Sequence, residues 1–311
     1  MVSDRSTILA YIRRVRTYRA CGRYFHEDKV MSHHRIIRDE QLLLDFIEWL
    51  PELQTNERFF LCLQARKKYM PSLKCSDKTQ LKRFVSTKRT LLDKIRQLEC
   101  PVGCYTTHEG LVIPDEAMAL YITLNPRDMR KAAFASIAGL AEMLRKQESQ
   151  VDMDVNPHSE VLSHIHKAKA RTVFVHFDID VAIGSDVDVS VYDAHLNNIS
   201  NARKCNLTTE EIHRRVVGIV GKDAVTIIQT RGGCHVLIRP EKVVCETKNW
   251  HPIVARELKS DQVGDLMLPV PGCCQGGFVP HFYPGPAAST CWQRTSQEAF
   301  DEIARLSGEV N

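Results

Sequence analysis

No stretch of this chain approaches the roughly 20 consecutive apolar residues that a membrane-spanning helix needs. Met1 to Tyr18 also lacks the apolar core of a secretory leader. The sequence therefore predicts no membrane partner. It has no Gly-x-x-x-x-Gly-Lys-Ser/Thr phosphate loop, no Cys-x-x-Cys spacing, no internal repeat and no low-complexity segment. Bulk charge is small: 42 Lys and Arg against 38 Asp and Glu leave +4, so local basic clusters carry more information than the total. The cysteines number 11, an odd count in a long chain without a leader, which points to a reducing, cytoplasmic setting rather than a disulfide scaffold. What is present is a core-forming composition. With 43% hydrophobic and 26% charged residues over 311 positions, the chain can bury one elaborated domain or two small ones.

Composition shifts near residues 100–105 and 150–160. Residues 1–105 read as a basic, mainly helical N-terminal region, and residues 106–311 as the chemical core. Asp39 can cap a helix through Leu42–Leu50 that Pro51 ends. A second helix is expected from Asp77 to Glu99 on Leu81, Phe84, Leu91, Leu92, Ile95 and Leu98, with a strand over Arg58–Ala65 between the two. Another strand is expected over Ala119–Leu124, ended by Asn125-Pro126-Arg127, then a helix over 128–147 and a polar connector to His158.

The second half alternates. Val173–Asp180 reads as a buried strand, and Thr208 with Glu211 has the spacing of a capping box opening a helix that Gly221 stops. Strands follow over Ala224–Gln229 and Cys234–Ile238 around the tight turn Arg231-Gly232-Gly233, then a helix over Trp250–Leu258 and an extended segment over Asp265–Gly272. Strand, helix and strand in this order place the chain in the α/β or α+β class.

Side chains alternate along a strand, so Asp178 and Asp180 share one face. Two carboxylates at the end of a buried strand need a compensating cation, and Mg²⁺ characteristically joins one or two carboxylates to waters and substrate phosphates. In Thr230-Arg231-Gly232-Gly233-Cys234-His235 the glycines permit close backbone approach to an anion, while Arg231 and His235 supply donors. Asp261 and Asp265 are both placed to bring a third carboxylate. Asp186 and Asp188 read as a solvated acidic turn.

In order and spacing these motifs resemble the catalytic core of the archaeo-eukaryotic primase superfamily, the primase-polymerase group. Phe177-Asp178-Ile179-Asp180 and the Thr230–His235 turn are similar to its first two motifs. Asn125-Pro126-Arg127 and Leu268-Pro269-Val270-Pro271-Gly272 resemble phage and plasmid members, and the likeness covers residues 118–285. It implies a primase-polymerase core with an RRM-like sheet. It further implies two Mg²⁺ or Mn²⁺ ions held by Asp178, Asp180 and Asp265 (or Asp261). Arg231, Gly232, Gly233 and His235 would bind the incoming nucleotide, with Arg127 contacting nucleotide or template. The partners implied are nucleoside triphosphates, a single-stranded DNA template and a separate replicative helicase in a bacterial, phage or plasmid setting. Arg66-Lys67-Lys68, with Lys82-Arg83 and Lys88-Arg89, would meet template phosphates.

Other features admit other readings. Cys100, Cys104, Cys273, Cys274 and Cys291 could join histidines around zinc, against the usual spacing. His164-Ile165-His166 is similar to the His-hydrophobe-His of tyrosine-dependent nicking endonucleases, but a helix there would turn the two rings apart. Trp49, Trp250 and Trp292 read as core or interface residues. The alternatives to a primase are a template-independent or repair polymerase, a non-catalytic replication accessory that binds nucleic acid, and the nicking endonuclease.

Overall fold

The computed structural model describes residues 32–107, 109–148, 156–180, 207–245, 249–260 and 262–284. Alternation along β1 (Glu57–Ala65) determines the first layer. Phe59, Leu61, Leu63 and Ala65 enter one hydrophobic core, while Phe60 and Cys62 face the opposite way into another. β1 therefore sits mid-sheet, antiparallel to β2 (Thr79–Ser86) on one side and β3 (Met118–Thr123) on the other, and β9 (Met267–Pro269) extends the sheet from β3. The two-residue β4 (Arg127–Asp128) pairs with the start of β1.

The second sheet has the order β10-β6-β7-β5-β8 with antiparallel pairing throughout. Its strands are β5 (Val175–Asp180), β6 (Val225–Thr230), β7 (Gly233–Ile238), β8 (Gln262–Gly264) and β10 (His281–Tyr283). Helix α1 (Glu40–Trp49) and the short α2 (Leu91–Arg96) pack on the first sheet's inner face. Helices α3 (Met129–Glu148) and α4 (Pro157–Lys167) cover its outer face through Ala132 and Ile165. Helices α5 (Thr209–Val220) and α6 (Trp250–Glu257) cover one face of the second sheet through Ile212, Val216, Val220 and Val254, against Phe177, Ile179, Ile227 and Val236. The other face of that sheet supplies Ile228 and Leu237 to the core of the first. This is an α+β protein built on two antiparallel sheets that share a core.

Several local expectations hold. Asp39 caps α1 through Leu42 N at 2.9 Å, and Thr208 caps α5 through Glu211 N at 3.2 Å. Gly221 ends α5 at a positive φ of 88°. The Pro-Gly turn packs against the start of α1, where the Gly272 carbonyl accepts from Arg38 N and Asp39 N.

The expected helix over Asp77–Glu99 is corrected. Its first half is the edge strand β2, and only Leu91–Arg96 is α-helical. Leu81 and Phe84 have helical spacing, but pairing with the hydrophobic β1 decides the local structure. Residue 105 falls inside the run of one sheet, in which β1 and β2 precede it and β3 and β9 follow. The described residues from His33 onward form one compact unit. No described helix is long and apolar enough to cross a membrane.

Candidate functional site

Antiparallel register brings the two recognised motifs together. On β5 and β7, Asp178 lies opposite His235 and Asp180 opposite Gly233. Asp180 stands exposed at the strand end beside the Gly232 turn, where a side chain at Gly232 would come 3.9 Å from its Oδ1. Asp178 is half-buried, with Oδ1 3.5 Å from His235 Nδ1. His235 Nδ1 also makes a 2.5 Å hydrogen bond with His176 Nε2, two residues back along the same face of β5. Burial holds both imidazoles neutral, with protonation pushed down to about 3. The neighbouring ring adds to that effect at His176, and Lys68 adds to it at His235. Burial also raises the Asp178 carboxyl, against the pull of His176, Lys68, Arg66 and Lys78.

Those cations come from the first sheet. Arg66, at the end of β1, is buried and donates from Nη1 to Tyr121 Oη at 2.5 Å and from Nε to Asp77 at 3.3 Å. The 3₁₀ turn Lys67–Tyr69 follows at once. Around the Tyr69 ring stand Arg66 at 5.7 Å, Lys68 at 5.2 Å and Arg231 at 5.1 Å. Arg231 is anchored at both ends: its backbone N–H donates to Gln275 Oε1 at 3.0 Å, and Nη1 donates to the Gly276 carbonyl at 2.5 Å. Asp178 on the second sheet thus lies within the field of Arg66 and Lys68 from the first, and Arg231 joins those two around Tyr69.

Not every expected residue joins this cluster. Asp265 lies between β8 and β9, where Arg127 donates to its Oδ2 and Asn125 Nδ2 donates to Oδ1 at 3.0 Å. Arg127 is 1% exposed, and its guanidinium is paired with Asp265. Lys67 is exposed on the turn. Lys88 binds the Glu48 and Leu50 carbonyls at the end of α1, and Arg83 binds Ser159. Asp261, Asp186, Asp188, Cys291 and Trp292 lie outside the described residues.

Cys273 and Cys274 are buried in the first core, where burial raises both thiols, Cys274 to about 12. On α4, His164 pairs with Glu160 at 3.0 Å while the His166 ring lies against Phe60. The two rings serve different faces, as the helix requires. Among the described residues no group of three or more His, Cys, Asp or Glu side chains is placed to hold a metal ion. Trp49 stacks on Phe174 at 4.9 Å and Trp250 packs against the second core, so both are structural.

Sequence reasoning missed His176, Tyr69, Tyr121 and Lys78. Alternation already put His176 on the face of Asp178 and Asp180, and that signal was available. The tyrosines carry no local signal, because Arg66, Tyr69 and Tyr121 meet only once β1 and β3 pair. No family model, curated protein or solved structure matches this chain.

Proposed function

We propose that this chain is a nucleotidyltransferase of the primase-polymerase kind, adding nucleotides from nucleoside triphosphates to a primer, or starting one, on single-stranded DNA. The observation that carries the reading is the convergence of Asp178, which shares a face of β5 with Asp180, and the cations Lys68 and Arg66 that pull on its carboxyl, while Lys68 and Arg231 share the Tyr69 ring. Acid and base so close together suit a divalent cation bridged to a polyphosphate. The order β8-β5-β7-β6, threaded β-α-β-β-α-β, is the split arrangement an RRM-like sheet requires, and this supports the same reading.

Asp178 and Asp180 fit a Mg²⁺ or Mn²⁺ ion whose remaining positions go to water and phosphate, because Asp178 is a desolvated carboxylate in need of a compensating charge. Such an ion would neutralise charge on the transferring phosphoryl group and favour ionisation of the attacking 3′-hydroxyl. Around it, Lys68 and Arg66 would hold phosphate oxygens, and His235 would contribute as a neutral ring rather than a cation. A second ion using Asp265 requires its pair with Arg127 to open.

The test is labelled-nucleotide incorporation on single-stranded DNA with Mg²⁺ or Mn²⁺, with and without an annealed primer. The wild type is compared with a double variant, Asp178→Asn with Asp180→Asn. Unprimed product that vanishes in the variant identifies a primase, and primed extension alone identifies a polymerase. The engagement of Asp265 by Arg127 favours one competing reading, a nucleic-acid-binding replication accessory without turnover. Template binding without incorporation, equal in both proteins, would establish that reading instead.

A further inference from the structure

We propose that His176 is a positioning residue: it fixes the orientation and the tautomer of His235, and through His235 the side of the site that faces Asp178. This rests on the nucleotide reading above only in naming what the site receives. Alternation puts His176, Asp178 and Asp180 on one face of β5, graded from buried to exposed: His176 is 2% exposed, Asp178 intermediate and Asp180 open. The His176 and His235 rings meet edge-on, with 4.6 Å between centroids and 62° between planes. Their nitrogens are 2.5 Å apart. A single proton can lie between those two nitrogens, and its owner determines which nitrogen of His235 donates and which accepts. His235 Nδ1 is at once the atom bonded to His176 and an atom 3.5 Å from Asp178 Oδ1. His176 therefore sets what the carboxylate meets on one side and what a ligand meets at Nε2 on the other. A histidine placed only for packing would not be aimed at a ring nitrogen that also borders Asp178.

The experiment compares wild type with His176→Leu, which keeps the bulk, and His176→Gln, which keeps a polar nitrogen near the Nε2 position. Long-range ¹H–¹⁵N imidazole spectra, assigned through His235→Gln, report the tautomer, and calorimetry with Mg·ATP as the probe reports binding. We expect one neutral His235 tautomer in the wild type and averaged tautomers in the leucine variant. Mg·ATP affinity should fall about fivefold in the leucine variant, the scale of one neutral hydrogen bond, with recovery in the glutamine variant. Averaged tautomers in the wild type overturn the proposal without any variant, as does an unchanged His235 spectrum in a folded leucine variant. The expected spectra without Mg·ATP binding by the wild type would support the role of His176 while overturning the nucleotide reading.

Discussion

His176 and His235 take up protons only near pH 3 inside the protein, whereas an unperturbed imidazole does so near 6.5. Between those limits the unfolded chain binds more protons than the folded one, so stability falls as pH drops from about 6.5 towards 3. Each ring contributes at most about 1.4 kcal/mol per pH unit. Asp178 works in the opposite direction, because its raised carboxyl takes a proton more readily when folded. Urea midpoints measured from pH 7.5 to 4.5 should therefore change little at first and decline below about pH 6.5. A flat profile would show that the two rings are not buried neutral. Gly276 presents a different constraint at this scale. Its φ is +60°, and a Cβ there would strike the Tyr69 ring and lie 2.7 Å from Arg231 Nη1. Gly276→Ala should cost about 2–4 kcal/mol from overpacking and backbone strain combined. It should also lower nucleotide incorporation more steeply than a surface change of equal stability cost, as paired urea and activity measurements would show.

Elements are placed here by a few buried polar side chains. Asn125, at the end of β3, accepts from Val173 N at 2.8 Å and Phe174 N at 2.9 Å, and donates to the Phe174 carbonyl at 3.0 Å. It thereby fixes the lead-in to β5 and hence the height of Asp178. Asn125→Ala would orphan two buried amides and a carbonyl, an expected loss of about 3 kcal/mol or more by urea denaturation. Elements with local signals were legible in the sequence: α1 from Asp39, α5 from Thr208, the turn at Gly232-Gly233, and the strand that carries both carboxylates. β2 was not. Its apolar Leu81 and Phe84 align with a helical period, while the partner that makes it a strand lies across the sheet at Phe60 and Leu61. The site was half legible for the same reason. Asp178, Asp180, Arg231 and His235 announce themselves in short motifs, but His176 draws its meaning from β7, and Tyr69 draws its meaning from β3 and the turn at Arg231. Asp265 was legible as an acid and not as the partner of Arg127, 138 residues away in sequence.

The two sheets behave as one structure because the chain passes between them. β8 belongs to the second sheet and β9 to the first, and only Asp265 and Leu266 separate them. Ile228 and Leu237 of the second sheet complete the core of the first. Unfolding should accordingly be a single transition. Trp49 reports the first core and Trp250 the second, so variants retaining one or the other (with Trp292→Phe in both) should give coincident urea midpoints. Separate midpoints would mean two independent halves. The two-residue crossing also bears on what happens when the chain is shortened. A product ending before Met267 keeps every described strand of the second sheet except β10 but strips the edge from β3, whose six residues are all buried. The unpaired amides of that hydrophobic strand would then be open to the strand of any neighbouring molecule. Premature termination just short of β9 should therefore yield aggregates rather than a smaller soluble protein.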